Sequence, residues 1–125
     1  MLTYDKDSFT YTIVAGEDLS DKNEGTGVIY KAIDAAGVVA EDATAIGILA
    51  YGGESAEHVT VITAGTSKYT AAAAIVVGAK LTVTTSGYFT TAASGDAICG
   101  QALAAVTSGS IGRGSFNTFG TATLP

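Results

Sequence analysis

One order of small and β-branched residues occurs twice in this chain, and it restricts what the chain can fold into more than any other feature. Gly27-Val28-Ile29-Tyr30-Lys31-Ala32-Ile33 is followed by Gly37 and then Ile46-Gly47-Ile48-Leu49-Ala50. Gly78-Ala79-Lys80-Leu81-Thr82-Val83 is followed by Gly87 and then Ile98-Cys99-Gly100-Gln101-Ala102-Leu103. Each passage reads as a strand, a glycine turn, a strand, and an apolar strand with a glycine near its start. Side chains branched at Cβ are stiff and suit a pleated surface. The pattern predicts two related β-units, over 27–64 and 78–116, sharing one core.

The 125 residues suit one domain, in which folding removes about two-thirds of the unfolded surface. Hydrophobic residues make up 47%, but runs such as Ala71-Ala72-Ala73-Ala74 supply much of that, so the core must be thin and closely spaced. Charged residues are only 14%, with a net charge of −6. Six cations against twelve carboxylates give no electrostatic footprint for nucleic acid or an anionic membrane. Neither nucleic acid nor membrane is therefore expected as a partner. The N-terminal residues lack a basic region followed by an apolar run, so no signal peptide is expected. No apolar run approaches the length of a bilayer span. Cys99 is the one cysteine and allows no internal disulfide.

Phe9, Tyr11 and Ile13 alternate with Thr10 and Thr12, which predicts a half-buried strand over 8–14. Residues 1–16 read as an N-terminal arm or edge strand, and 17–125 as a single β-rich domain. The acidic run from Gly16 to Gly25 reads as a solvated loop. Ile46–Ala50 and His58–Thr63 form the arms of a hairpin. Between Tyr69 and Val77 the alanines favour one or two helical turns leading into a strand at Lys80–Thr84. A short strand follows at Tyr88–Thr91, a long apolar strand at Ile98–Val106 and a last strand at Ile111–Phe119, separated by turns at Ser94-Gly95 and Ser108-Gly109. Gly112 and Gly114 permit a bulge or close backbone approach. Thr121 to Pro125 is a tail. The expected fold is mainly β: a small sandwich or barrel with glycine turns, at most one short helix and an extended N-terminal arm.

No catalytic set emerges from the residues. His58 has no second histidine at ligand spacing, and Cys99 lies in an apolar strand without a basic neighbour. Glu17, Asp18, Asp21 and Glu24 invite calcium but lack the EF-hand spacing, so a solvated loop is expected over 17–24. Glu41-Asp42 are adjacent and point apart on extended chain. Gly109-Ser110-Ile111-Gly112-Arg113-Gly114 lacks the lysine of a phosphate loop. The expectation is a protein without enzymatic activity, cofactor or metal. The terminal segments hold Tyr4, Phe9, Tyr11, Phe116 and Phe119, large rigid side chains that suit anchoring to a partner, and Arg113 suits an interface charge. A second reading is a glycan- or host-surface-binding module, with Tyr51 beside Gly52-Gly53 and Tyr88-Phe89 as its aromatic platform.

Two passages carry a resemblance to a known family. One is Ala74-Ile75-Val76-Val77-Gly78-Ala79-Lys80-Leu81-Thr82-Val83 with Ser86-Gly87-Tyr88-Phe89-Thr90. The other is Ala92-Ala93-Ser94-Gly95-Asp96-Ala97-Ile98-Cys99-Gly100-Gln101-Ala102-Leu103, running to Ser108-Gly109. From about Gly27 to Gly109 the chain resembles the capsid decoration (cement) proteins of tailed double-stranded DNA phages. Cys99, inserted between Ile98 and Gly100, departs from the family's pattern, whereas Ala45-Ile46-Gly47-Ile48-Leu49 follows it. The resemblance implies a compact β-fold made in the host cytoplasm. It would bind the exterior of an icosahedral capsid, often as a homotrimer, and bridge major capsid protein subunits. A fibre or tail component of the particle is the related alternative. No family residue acts chemically, so none is carried over as catalytic.

Overall fold

A computed structural model describes residues 9–20, 30–41, 44–116 and 122–123. Ten strands occur among them: β1 (Phe9–Val14), β2 (Ala32–Asp34), β3 (Ala45–Tyr51), β4 (His58–Thr70), β5 (Lys80–Val83), β6 (Phe89–Thr91), β7 (Ala97–Ile98), β8 (Gly100–Ala102), β9 (Ile111–Phe116) and β10 (Ala122–Thr123). The main sheet runs β2-β3-β4-β9-β8-β5-β6, with β1 added on β4 and β7 paired separately with β10. It curls into a nearly closed barrel, matching the expected class. The two sequence passages occupy opposite wings, β2-β3-β4 and β9-β8-β5, with Gly47 and Gly100 on the middle strand of each.

Thirteen-residue β4 organises both wings. Its first half pairs antiparallel with β1 (Tyr11 opposite Val61) and β3 (Ile48 opposite Ile62), its second half with β9 (Tyr69 opposite Gly112). Gly65, at φ 106°, separates the two halves. Val59 and Val61 face an outer cluster with Leu19, Ile33 and Leu49, whereas Tyr69 faces the barrel interior. All three carry odd numbers, so the inside–outside alternation changes phase between them, at Thr63, where the β1 partners step from Ile62 to Ala64. A one-residue phase change turns every later side chain to the opposite face.

Three aromatic rings fill the interior. Tyr69 lies edge-on to Phe89 (5.6 Å, 62°) and to Phe116 (6.0 Å, 77°), and Phe89 is edge-on to Phe116 (5.6 Å, 64°). Such pairs are worth about 0.5–1.5 kcal/mol each beyond their burial. Gly112 makes the arrangement possible, because a Cβ there would sit 2.7 Å from the Tyr69 ring. The expected close approach at Gly112 is thus present, without a bulge in the β4–β9 register. The barrel closes where the turn Thr85–Gly87 meets β2. Gly87 adopts φ 75°, and a Cβ on it would come within 2.9 Å of Lys31 Cβ. Lys31 Nζ then lies 4.6 Å from the centroid of the Tyr88 ring.

Several local expectations are corrected. No helix forms over 69–77: Tyr69 and Thr70 end β4, and Ile75 exchanges two backbone hydrogen bonds with Val106 (both 2.9 Å). Tertiary pairing overrides the alanine propensity. The strand expected over 98–106 is interrupted at Cys99 and after Ala102, where the chain bends and Leu103 N–H donates to the Arg113 carbonyl (2.9 Å). Leu19 is buried, so the described part of the acidic loop is pinned rather than wholly solvated. Tyr30 sits at φ 64° outside β2, and part of the expected tail forms β10.

Two substitutions test this core. Gly112→Ala drives a methyl into the Tyr69 ring and is expected to cost about 1–3 kcal/mol by chemical denaturation. The Tyr69 hydroxyl is buried without a hydrogen-bond partner. Tyr69→Phe is therefore expected to leave stability unchanged or raise it by about 1 kcal/mol. A clear loss would show that the hydroxyl is satisfied in solution.

Candidate functional site

The residues expected to make contacts divide sharply. Phe9 is 71% exposed and Tyr11 is also exposed, on a strand whose described pairing is with β4. The strand expected to be half-buried is exposed at five of its six residues, and Ile13 packs against the outer cluster. Phe116 is 1% exposed and belongs to the interior trio, so it is not a contact residue. Arg113 is half-buried on β9, directly opposite exposed Lys68 on β4. Tyr4 and Phe119 lie outside the described residues.

The candidates for chemistry stand apart from one another. His58 is exposed at the start of β4, and Glu41 is exposed in a bend. Cys99 is buried, its Sγ donates to the Leu81 carbonyl (3.4 Å), and burial pushes its thiol up to about 12. Among the described residues no three His, Cys, Asp or Glu side chains come together as a metal site. Half of the acidic loop, Asp21 and Glu24, lies outside them. Glu17 accepts a hydrogen bond from Val39 N–H (2.8 Å), and Asp18 binds Ser20. In the glycine-rich segment, Gly109 N–H donates to the Ala71 carbonyl and Ser110 N–H to that of Thr107, so both are engaged within the protein. The proposed glycan platform does not assemble. Tyr51 is 74% exposed at the end of β3, Tyr88 is half-buried under Lys31, and Phe89 is in the core. Among the described residues no helix is long and apolar enough to cross a membrane.

What the fold does build is an uncharged platform at the end of β4 that carries Thr70. The loops after β4 and after β8 are zipped together by backbone hydrogen bonds. Ala71 pairs with Ser110 and Gly109, Ile75 with Val106, and Gly78 N–H donates to the Ala102 carbonyl (2.8 Å). Ser108 Oγ adds a bond to the Ala72 carbonyl (3.1 Å). Ile75 anchors the layer inside, while Val76 (69%) and Val77 (65%) on one loop stand out to solvent, as do Leu103 after β8 and Ile111 at the start of β9. Residues 69–79 and 97–112 contain no charged side chain. Lys68, Lys80 and Arg113 stand on the strands that feed these loops. Exposed apolar residues gathered on one surface serve contact with a partner rather than folding only where they form a contiguous patch.

The opposite end of β4 has the reverse character. There the loops 15–20, 34–39 and 52–57 meet, with Ala15 N–H donating to the Glu57 carbonyl (2.8 Å) and Leu19 N–H to that of Gly53 (2.8 Å). They carry Glu17, Asp18, Asp34, Glu54 and Glu57 around exposed Val14 and Tyr51. Residues 1–57 hold eleven of the twelve carboxylates and three of the six cations, a net of −8, which leaves 58–125 at +2. Sequence reading missed both ends, although this uneven division of charge was visible in the sequence.

No family profile and no curated protein sequence matches the chain. The fold does have a solved counterpart. The chain is similar to the head fiber gp8.5 N base in bacteriophage phi29, with a TM-score of 0.67 at 14% identity. The match covers 88% of this chain and 94% of that one. At this identity the two share a fold.

Cys99 gives a direct check of the core placement. It is expected to resist thiol reagents in the native protein at pH 8 and to react fully in guanidinium. Burial pushes its thiol from the ordinary 9.0 up to about 12, so folding favours the protonated form. That contribution is complete below pH 9 and is lost as pH rises towards 12. The decline in stability above pH 9 should be shallower in Cys99→Ala.

Proposed function

We propose that the chain is a structural protein of a phage particle, carried on the exterior of the head and acting through its surface rather than by catalysis. The fold shared with a head fiber base over nearly the whole of both chains carries this reading. The decoration-family resemblance in residues 27–109 supports it independently. A small barrel with exposed apolar residues on a closely packed interior suits such a role, since many copies each making modest contacts hold an assembly strongly. The finer form we favour bridges major capsid protein subunits, three copies coming together as a homotrimer only on the capsid, with exposed Phe9 and Tyr11 on β1 among the contacts. A fibre base is the second form, favoured by the nature of the structural neighbour. The chain needs no cofactor in either, and synthesis in the host cytoplasm precedes attachment.

Copy number on the particle decides. The tryptic peptide Tyr69–Lys80 is counted by mass spectrometry against the major capsid protein in gradient-purified particles. A ratio near one per shell subunit, or a simple fraction of it, is expected for a bridging role. A small number of copies per particle fits a fibre base, and absence removes the virion reading. With either form, Phe9→Ala/Tyr11→Ala is expected to fold normally and to reduce attachment to the head severalfold in a pelleting assay.

A further inference from the structure

We infer that copies of this chain associate end to end, the uncharged platform of one copy seating on the acidic end of the next. The platform offers Val76, Val77, Leu103 and Ile111, with Lys68 and Lys80 on the strands that lead into it. The acidic end offers Val14 and Tyr51, with Glu54 and Glu57 in the adjoining turn. Each end thus has an apolar centre, and their flanking charges are opposite in sign. Two like ends would not match in this way. Two acidic ends repel, and two platforms oppose cation to cation. Complementary charge at a rim steers encounter and selects register, while the apolar centre supplies most of the attraction.

Geometry fixes the kind of assembly. His58 begins β4 at the acidic end and Thr70 closes it at the platform, a contour of roughly 40 Å at about 3.3 Å per residue. The two surfaces differ and stand at opposite ends of β4, so a contact between them is heterologous. A heterologous contact that does not turn back on itself grows as an open stack rather than closing into a ring. The backbone hydrogen bonds that zip the two platform loops present this surface already ordered, which lowers the cost of docking. This association goes beyond the virion reading and needs no capsid, so purified protein tests it separately.

Three proteins are compared by sedimentation velocity over a wide concentration range: wild type, Val77→Asp and Tyr51→Asp. Both substituted side chains are largely exposed, and circular dichroism with thermal melting confirms that each variant folds. Wild type is expected to gain mass with concentration without a plateau at the dimer. Each variant alone, lacking one end, is expected to remain a monomer. Mixed one to one they are expected to form a dimer and nothing larger, because a single intact pair of ends is restored. A monomeric wild type overturns the inference. So does a Tyr51→Asp variant that assembles like wild type, which would mean that platforms pair with platforms, and so does a mixture that stays monomeric.

Discussion

The register of β4 is the constraint on which everything else in this fold depends. One strand supplies the backbone ladder for β1, β3 and β9, and so joins the two wings of the sheet. Its side chains serve two cores, with Val59 and Val61 in the outer one and Tyr69 in the inner one. The change of phase at Thr63 lets one strand do both. A slip by one residue in either half would turn a buried set outward and expose it to water, so each half pins the other. The same strand separates the acidic end from the platform, so the register that holds the cores also fixes the distance between the two surfaces.

The interior shows how a composition rich in small residues still makes a firm core. Alanine and glycine let the strands and turns approach closely, and three large rings occupy the space that remains. Gly112 lies beneath the Tyr69 ring, and a Cβ on Gly100 would sit 2.6 Å from the Phe116 ring. The glycines and the aromatics are therefore one device: a small residue on one strand admits a ring from its neighbour. Close packing makes such sites sensitive to single methyl groups. Alanine frequency alone would have suggested a weaker core.

Local features were legible in the sequence because their causes are local. Gly37, Gly78, Gly87, Gly95 and Gly109 all take positive φ at or near expected turns, and the β3–β4 hairpin forms between the expected arms. Alternation in Phe9–Val14 correctly announced a strand with two faces. It could not say which face another part of the chain covers: Phe9 and Tyr11, expected among the contacts, are exposed, whereas Phe116, expected with them, is buried. The alanine run misled for a related reason. Helix propensity is a weak bias, and Ile75 gains more by pairing with Val106, thirty-one residues further along. The platform was hidden because its two loops are adjacent only after β9 and β8 have returned beside β4 and β5.

The segregation of charge resolves two competing demands on such a surface. A net charge of −6 keeps copies apart in dilute solution and favours solubility. Carboxylates spread over the platform would serve that end, yet each would have to be desolvated when the surface docks, at a cost that the contact must offset. Eleven of the twelve carboxylates precede residue 58, those of Glu17, Asp18, Glu54 and Glu57 on the loops at one end of β4, and 69–79 and 97–112 are left uncharged. The molecule thereby acquires a direction. Its soluble end and its adhesive end differ, and the long strand between them is rigidly committed to both cores. A chain built in this way does not need a reactive side chain to be specific, because polarity along one axis already distinguishes correct from incorrect contacts.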